Sequence, residues 1–334
     1  MAVLTACSLI DEDQSDCGKE VQIDYEMQLI TNLNIELEAQ LDSVRDKDVI
    51  EALRNYLKNI FTDYARDVDL SFYDTKVDSA RLHHEKVIMD ANQRSYTLYL
   101  PMCEYMHLAV ANLTDNQLVN LVDDDFCHPS KLQQVHADTI SPHTSGLFTG
   151  RLPMTVLDNE NQTFKVKLYM ANCAAALVVD TQGNDATGMT VVSSGFASRF
   201  SVCDSTFVFD DVAPVIKTDD VPVKGGQQRV FCSVNFPSKN AETTRTIIET
   251  EEPFLSEPSE TSLWEFRVYV PRKGSSGSTI TESVLRLKKP LRAGALKIIK
   301  VKLLPDGSVE PYSPEVGVSV SLDWKPGGVY NPEF

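Results

Sequence analysis

Along most of this chain the hydrophobic residues fall on alternate positions. Val21, Ile23, Tyr25, Met27 and Leu29 are interleaved with Gln22, Asp24, Glu26 and Gln28, a period of two that predicts a strand with one buried face. One segment breaks the rhythm. Ile50, Leu53, Leu57, Ile60, Phe61 and Tyr64 recur at helical steps, with Glu51, Arg54, Asn55, Lys58 and Asp63 opposite. That stripe predicts an amphipathic helix lying on a sheet. Asp48 followed by Glu51 predicts a capping-box start, and Leu37, Leu41 and Val44 a weaker turn before it.

Alternation returns at residues 68–73 and 96–100, and Pro101 marks a turn ahead of a further strand over 105–113. Asp123-Asp124-Asp125, Pro129 and residues 141–146 read as a long loop near a domain boundary. Strands are then expected over 164–170, 174–179 and, in looser form, 201–209. Residues 210–227, with Pro214, Pro222 and the pair Gly225-Gly226, read as a long connection. The clearest strand is 264–270, followed by a hairpin loop over 273–278 and strands over 283–287 and 295–304. After the turn Pro305-Asp306-Gly307, Val316, Val318, Val320, Leu322 and Trp324 alternate near the end of the chain. Many short alternating strands separated by turn chemistry predict a mainly β chain built as two β-sandwiches. No βαβ rhythm announces a parallel sheet. The expected division is a tether over 1–18, a first domain over 19–150 with a helical excursion at 35–66, and a second domain over 151–334.

At 334 residues, 42% hydrophobic and 24% charged, the chain is long enough for two cores and ordinary in make-up for a globular protein. No apolar run approaches the roughly 18 residues of a membrane helix, so a membrane would be met through an anchor. The net charge of −17 argues against nucleic acid as a partner and suits a soluble extracellular surface.

An anchor is what the N-terminus suggests. Leu4-Thr5-Ala6-Cys7 has the shape read by the enzymes that make bacterial lipoproteins, which cut before the cysteine and leave it carrying lipid. Only Met1–Leu4 stands for the apolar region of roughly 7–15 residues such a signal needs, so the natural start is expected upstream. The competing reading is an apolar N-terminus with an incidental cysteine. The short acidic stretch after Cys7 favours the tether. Without Cys7, six cysteines remain, an even number that suits an oxidising compartment. Six allow about 15 pairings, and buried free thiols stay equally open. The pair we expect is Cys17 with Cys103, each placed near the end of a first-domain strand.

The chemistry of a catalyst is missing. There is no G-x-S-x-G elbow, phosphate loop or dinucleotide fingerprint. Cys127, His128, His136 and His143 match no closed zinc spacing and read as a surface loop, and Asp123-Asp124-Asp125 lacks the Gly and distal Glu of a calcium loop. No catalytic residue, metal or cofactor is therefore expected.

Four segments resemble the FimB-type fimbrial anchor family of Bacteroidales. They are the tether Ser8-Leu9-Ile10-Asp11-Glu12-Asp13-Gln14-Ser15-Asp16-Cys17, the run Asp67-Val68-Asp69-Leu70-Ser71-Phe72-Tyr73, the Tyr-x-Leu-x-Leu-Pro of residues 96–101, and Asp323-Trp324-Lys325-Pro326-Gly327-Gly328. The resemblance implies two transthyretin-like β-sandwich domains and a place at the base of a type V pilus; the helical insertion in the first domain is read from periodicity and is a departure from the family. The resemblance also implies lipid on Cys7 in the outer membrane and fimbrial shaft subunits as partners; the alternation of Val316, Val318, Val320, Leu322 and Trp324 then makes that segment a candidate donor strand, the alternative being the last strand of the second domain. A surface lipoprotein or pilus tip adhesin binding a host or glycan ligand is the second reading. A glycan-active enzyme with paired carboxylates is the third.

Overall fold

The computed structural model describes residues 20–30, 44, 46–61, 64–76, 79–90, 93–123, 125–127, 130–158, 162–239, 263–274, 277–313 and 316–323. The chain is mainly β. Its first part runs β1 (Glu20–Ile30), α1 (Lys47–Ile60), β2 (Asp67–Asp74), β3 (Arg81–Ile88), β4 (Ser95–Pro101) and β5 (Glu104–Ala111). Short strands follow: β6 (Val119–Val122), β7 (Lys131–Gln134) and β8 (Thr139–Ile140), then β9 (Phe148–Thr155) and β10 (Gln162–Met170). The later part holds β11 (Cys173–Asp180), β12 (Thr190–Ser194), β13 (Arg199–Ser201), β14 (Thr206–Val208), β15 (Val215–Lys217), β16 (Asp219–Val221) and β17 (Gln228–Asn235). It closes with β18 (Trp264–Gly274), β19 (Gly277–Leu287), β20 (Leu296–Leu303), β21 (Val309–Pro311) and β22 (Val316–Asp323).

Four sheets result. A seven-stranded sheet is ordered β3-β2-β5-β9-β10-β1-β4, a five-stranded one β16-β17-β11-β20-β21, a six-stranded one β22-β19-β18-β12-β15-β8, and a four-stranded one β14-β13-β7-β6. The expected division at 150/151 falls inside β9, and both β9 and β10 lie in the sheet formed with β1–β5.

Strand β11 explains how the sheets stack. Its run Cys-Ala-Ala-Ala-Leu-Val-Val is buried on both faces, as a continuous apolar strand must be. Cys173, Ala175, Leu177 and Val179 join a core with the six-stranded sheet, around Trp264, Phe266 and Leu285. Ala174, Ala176 and Val178 point the other way, into a core shared with α1 and the inner face of the seven-stranded sheet. Small side chains on that face let the helix approach closely. The helix is therefore wedged between two sheets, with Val49, Leu53 and Leu57 fully buried. A third core, with Phe200, Phe207 and Phe236, seats the four-stranded sheet against the opposite face of β2 and β5.

Several sequence expectations need correction. The helix is capped by Asp46, not Asp48: its carboxylate accepts from the N–H of Asp48 at 3.0 Å and of Val49 at 3.3 Å. The expected connection over 210–227 contains β15 and β16. Parallel pairing, for which no rhythm was visible, occurs between β1 and β10, β11 and β20, and β15 and β8. The segment around His143, read as surface loop, is interior. His143 is fully buried between the amides of Gln134 and Asn172, and burial pushes its pKa down to about 3.

Candidate functional site

The element with the clearest functional geometry is β1 and the groove that holds it. Strict alternation sends Val21, Ile23, Tyr25 and Met27 inward, where all four are buried, and Gln22, Asp24, Glu26 and Gln28 outward. The strand is paired along both edges. Residues 20–26 run antiparallel to β4, with Tyr25 opposite Tyr96, and residues 23–30 run parallel to β10, with Met27 opposite Val166. It is the sole link between β4 and β10 in the sheet order. Taking it out would open a slot with two unpaired strand edges and an apolar floor, which is the receptor geometry for strand addition. Burial of its four inward side chains contributes about 1.5–3 kcal/mol each, roughly 6–12 kcal/mol together.

One polar contact fixes the strand in depth and register. The Tyr25 hydroxyl lies 2.7 Å from His107 Nε2, and His107 Nδ1 lies 3.1 Å from the Ser71 carbonyl oxygen. A carbonyl only accepts, so Nδ1 carries the proton and Nε2 accepts from Tyr25. Phe72 stacks on the His107 ring at 4.2 Å. Burial pushes the His107 pKa down to about 4 and drives the Tyr25 phenol well above its ordinary value, with Tyr96 adding to the second shift. Both groups stay neutral at physiological pH, as a dry site requires.

The other candidate strand lies at the far end of the chain. β22 pairs antiparallel with β19 in its own sheet, Val316 opposite Leu287, Val318 opposite Leu285, Val320 opposite Ser283 and Leu322 opposite Thr281. This is the in-chain pairing, and it leaves β22 as the terminal strand of the six-stranded sheet. Val316 is buried, whereas Val320 is 42% exposed. Trp324 lies outside the described residues, as do Cys7 and Cys17.

Cys103 is half-buried and bonds no described cysteine; burial first, then Asp74, pushes its thiol up. Among the described residues one disulfide forms, joining Cys127 to Cys203 with a Cα–Cα distance of 5.9 Å. It staples the segment between β6 and β7 to the turn between β13 and β14. Nothing in the spacing of those two cysteines, 76 residues apart, distinguishes them as a pair. Cys127 is thereby withdrawn from the metal grouping considered above, and His128 lies outside the described residues. Asp123 and Asp125 both pair with Arg81. Among the described residues no group of three or more His, Cys, Asp or Glu is placed to hold a metal ion.

No protein-family model matches the chain, and no curated protein matches it in sequence. Solved structures do. A candidate adhesin from Bacteroides ovatus superposes with a TM-score of 0.51 at 10% identity, covering 96% of this chain and 100% of its own. A second candidate adhesin from that species gives 0.48 at 14% identity, covering 94% and 100%. The fimbrial anchor protein Mfa2 from Porphyromonas gingivalis gives 0.47 at 9%, covering 91% and 98%. At 10% identity the superposition with a TM-score of 0.51 shows a shared fold and no more.

Proposed function

We propose that this chain is the base subunit of a surface fibre, holding the fibre's shaft to the outer membrane through lipid on Cys7. The observation that carries the reading is the filled β1 groove together with the sequence leading into it. In pili of this kind, as the family resemblance implies, shaft subunits lose their first strand to an arginine-directed protease and accept a neighbour's strand in its place. A base subunit must keep that strand, because it joins the lipid to the fold. Here the first arginine of the chain is Arg45, beyond the end of β1 at Ile30. Tyr25 is pinned to His107, and both edges of the strand are paired. A groove so occupied refuses a donor.

The shaft is then held elsewhere. The residues Val316, Val318, Val320, Leu322 and Trp324 are the proposed joint, since β22 ends a sheet and its outer edge can extend into a second chain by main-chain hydrogen bonds. The test is N-terminal sequencing of the subunit in isolated fibres, with fatty-acid labelling of wild type and Cys7→Ala. A mature chain starting at Cys7, labelled only in the wild type, is expected. A mature start beyond Leu29 would make this a polymerising subunit. Deleting residues 316–334 is expected to shed shaft into the medium while the truncated subunit stays in the membrane fraction; shaft retained on such cells removes the proposed joint.

A further inference from the structure

A cleft of 350 Å³ opens between β20 and the junction of β19 with β22. Four lysines line it, Lys288, Lys289, Lys297 and Lys300, and among the described residues that line it there is no carboxylate. In a chain of net charge −17 this is a local reversal of sign. Lys300 also donates to the Val44 carbonyl at 2.7 Å, which fixes its ammonium group. The side chains of Lys288 and Lys297 have no ion-pair or hydrogen-bond partner among the described residues. Two nearby acidic groups among the described residues are already engaged: Glu310 with Lys302 at 2.9 Å, and Asp180 with the Tyr312 hydroxyl at 3.2 Å.

The rest of the cleft is apolar. Ile298, Ile299 and Val316 are buried beneath it, and Tyr312 stands in its wall, 55% exposed, with its ring held by the bond to Asp180. An exposed aromatic ring costs solvent order unless something lies on it. A ring fixed in orientation offers a flat platform for the apolar face of a sugar, while the lysines act as point charges for an anionic substituent. The volume fits a small ligand and is too small for a folded partner.

We infer that this cleft binds an acidic saccharide, its ring on Tyr312 and its carboxylate or phosphate among Lys288, Lys297 and Lys300. The inference is independent of the role proposed for β1, which lies in another sheet, while the cleft shares Val316 with the proposed joint.

Calorimetric titration of the full chain at about 50 mM salt tests it, with tri-galacturonate, glucose 6-phosphate, neutral galactotriose and inorganic phosphate as probes. At least one of the two acidic sugars should bind, with galactotriose and inorganic phosphate each about tenfold weaker or worse. Whether the uronate or the phosphosugar binds more tightly identifies the anion. The exposed-site double variant Lys288→Gln/Lys297→Gln should weaken binding about tenfold, and Tyr312→Ala should weaken both acidic sugars while sparing inorganic phosphate. Urea midpoints measured alongside report whether each variant is folded. No binding of either acidic sugar, equal binding by wild type and double variant, or inorganic phosphate binding as tightly as the sugars would overturn the assignment.

Discussion

Tyr25 is where the filling of the first groove can be measured. Replacing it with alanine removes a fully buried aromatic ring, which costs about 3–5 kcal/mol in transfer and cavity terms. It also strands His107 Nε2, whose sole bond on that side is the Tyr25 hydroxyl at 2.7 Å, for about 1–3 kcal/mol more. Tyr25→Phe keeps the ring and removes only the second contribution. The two variants should therefore separate, with phenylalanine about 1–3 and alanine about 4–8 kcal/mol below wild type. Against the roughly 5–15 kcal/mol of an ordinary domain, the alanine variant would sit near its unfolding threshold. Urea unfolding followed by far-ultraviolet circular dichroism gives the three free energies. A labelled peptide with the sequence of β1 should then be captured by the alanine variant and not by wild type. The reasoning fails if the two substitutions cost the same, if neither shifts stability by more than about 0.5 kcal/mol, or if wild type takes up the peptide equally well.

Three further outcomes follow from other parts of the fold. His107 titrates near 4 in the folded chain and about 6.5 when unfolded, so as pH falls the unfolded state takes up its proton first. Its stabilisation is complete above about pH 6.5 and is lost on descent to about 4, amounting to about 3 kcal/mol; His107→Gln should flatten that part of a stability–pH curve. Gly195 has φ of +97°, and a Cβ there would lie 2.5 Å from the Leu263 carbonyl oxygen, so Gly195→Ala should cost about 2–4 kcal/mol in urea unfolding. The Cys127–Cys203 bridge closes a span of 76 residues, and the double Cys→Ser variant should lose about 4 kcal/mol. Non-reducing peptide mapping should recover that cross-link, with the buried thiols of Cys173 and Cys232 alkylated only after denaturation.

The period of the apolar residues by itself marked β1, β2, β4, β5, β10, β11, β18, β19, β20, β22 and the helix α1, but not β9 or β17. Val21–Met27 alternate because one face of β1 meets a core and the other water, and that asymmetry is written in the residues themselves. Where both faces are covered, or neither needs to be, the signal fades. β3, on the edge of its sheet with an exposed Ile88, carries the polar run Arg-Leu-His-His-Glu-Lys and left no periodic trace. The tripeptide strands β15 and β16 are too short to show a period at all.

Pairing was decided only in three dimensions. Periodicity says which face of a strand is buried but not which strand lies beside it, so the parallel seat of β1 against β10, which starts 132 residues after β1 ends, had no local signature. The partner of Tyr25 is 82 residues away, and that of Cys127 76 residues away. The lysine cleft draws on the end of β19, the length of β20 and the approach to β22. Four lysines scattered through an acidic sequence read as solubilising charge; what sets them apart is that folding gathers them around one cavity, which long-range packing alone can do.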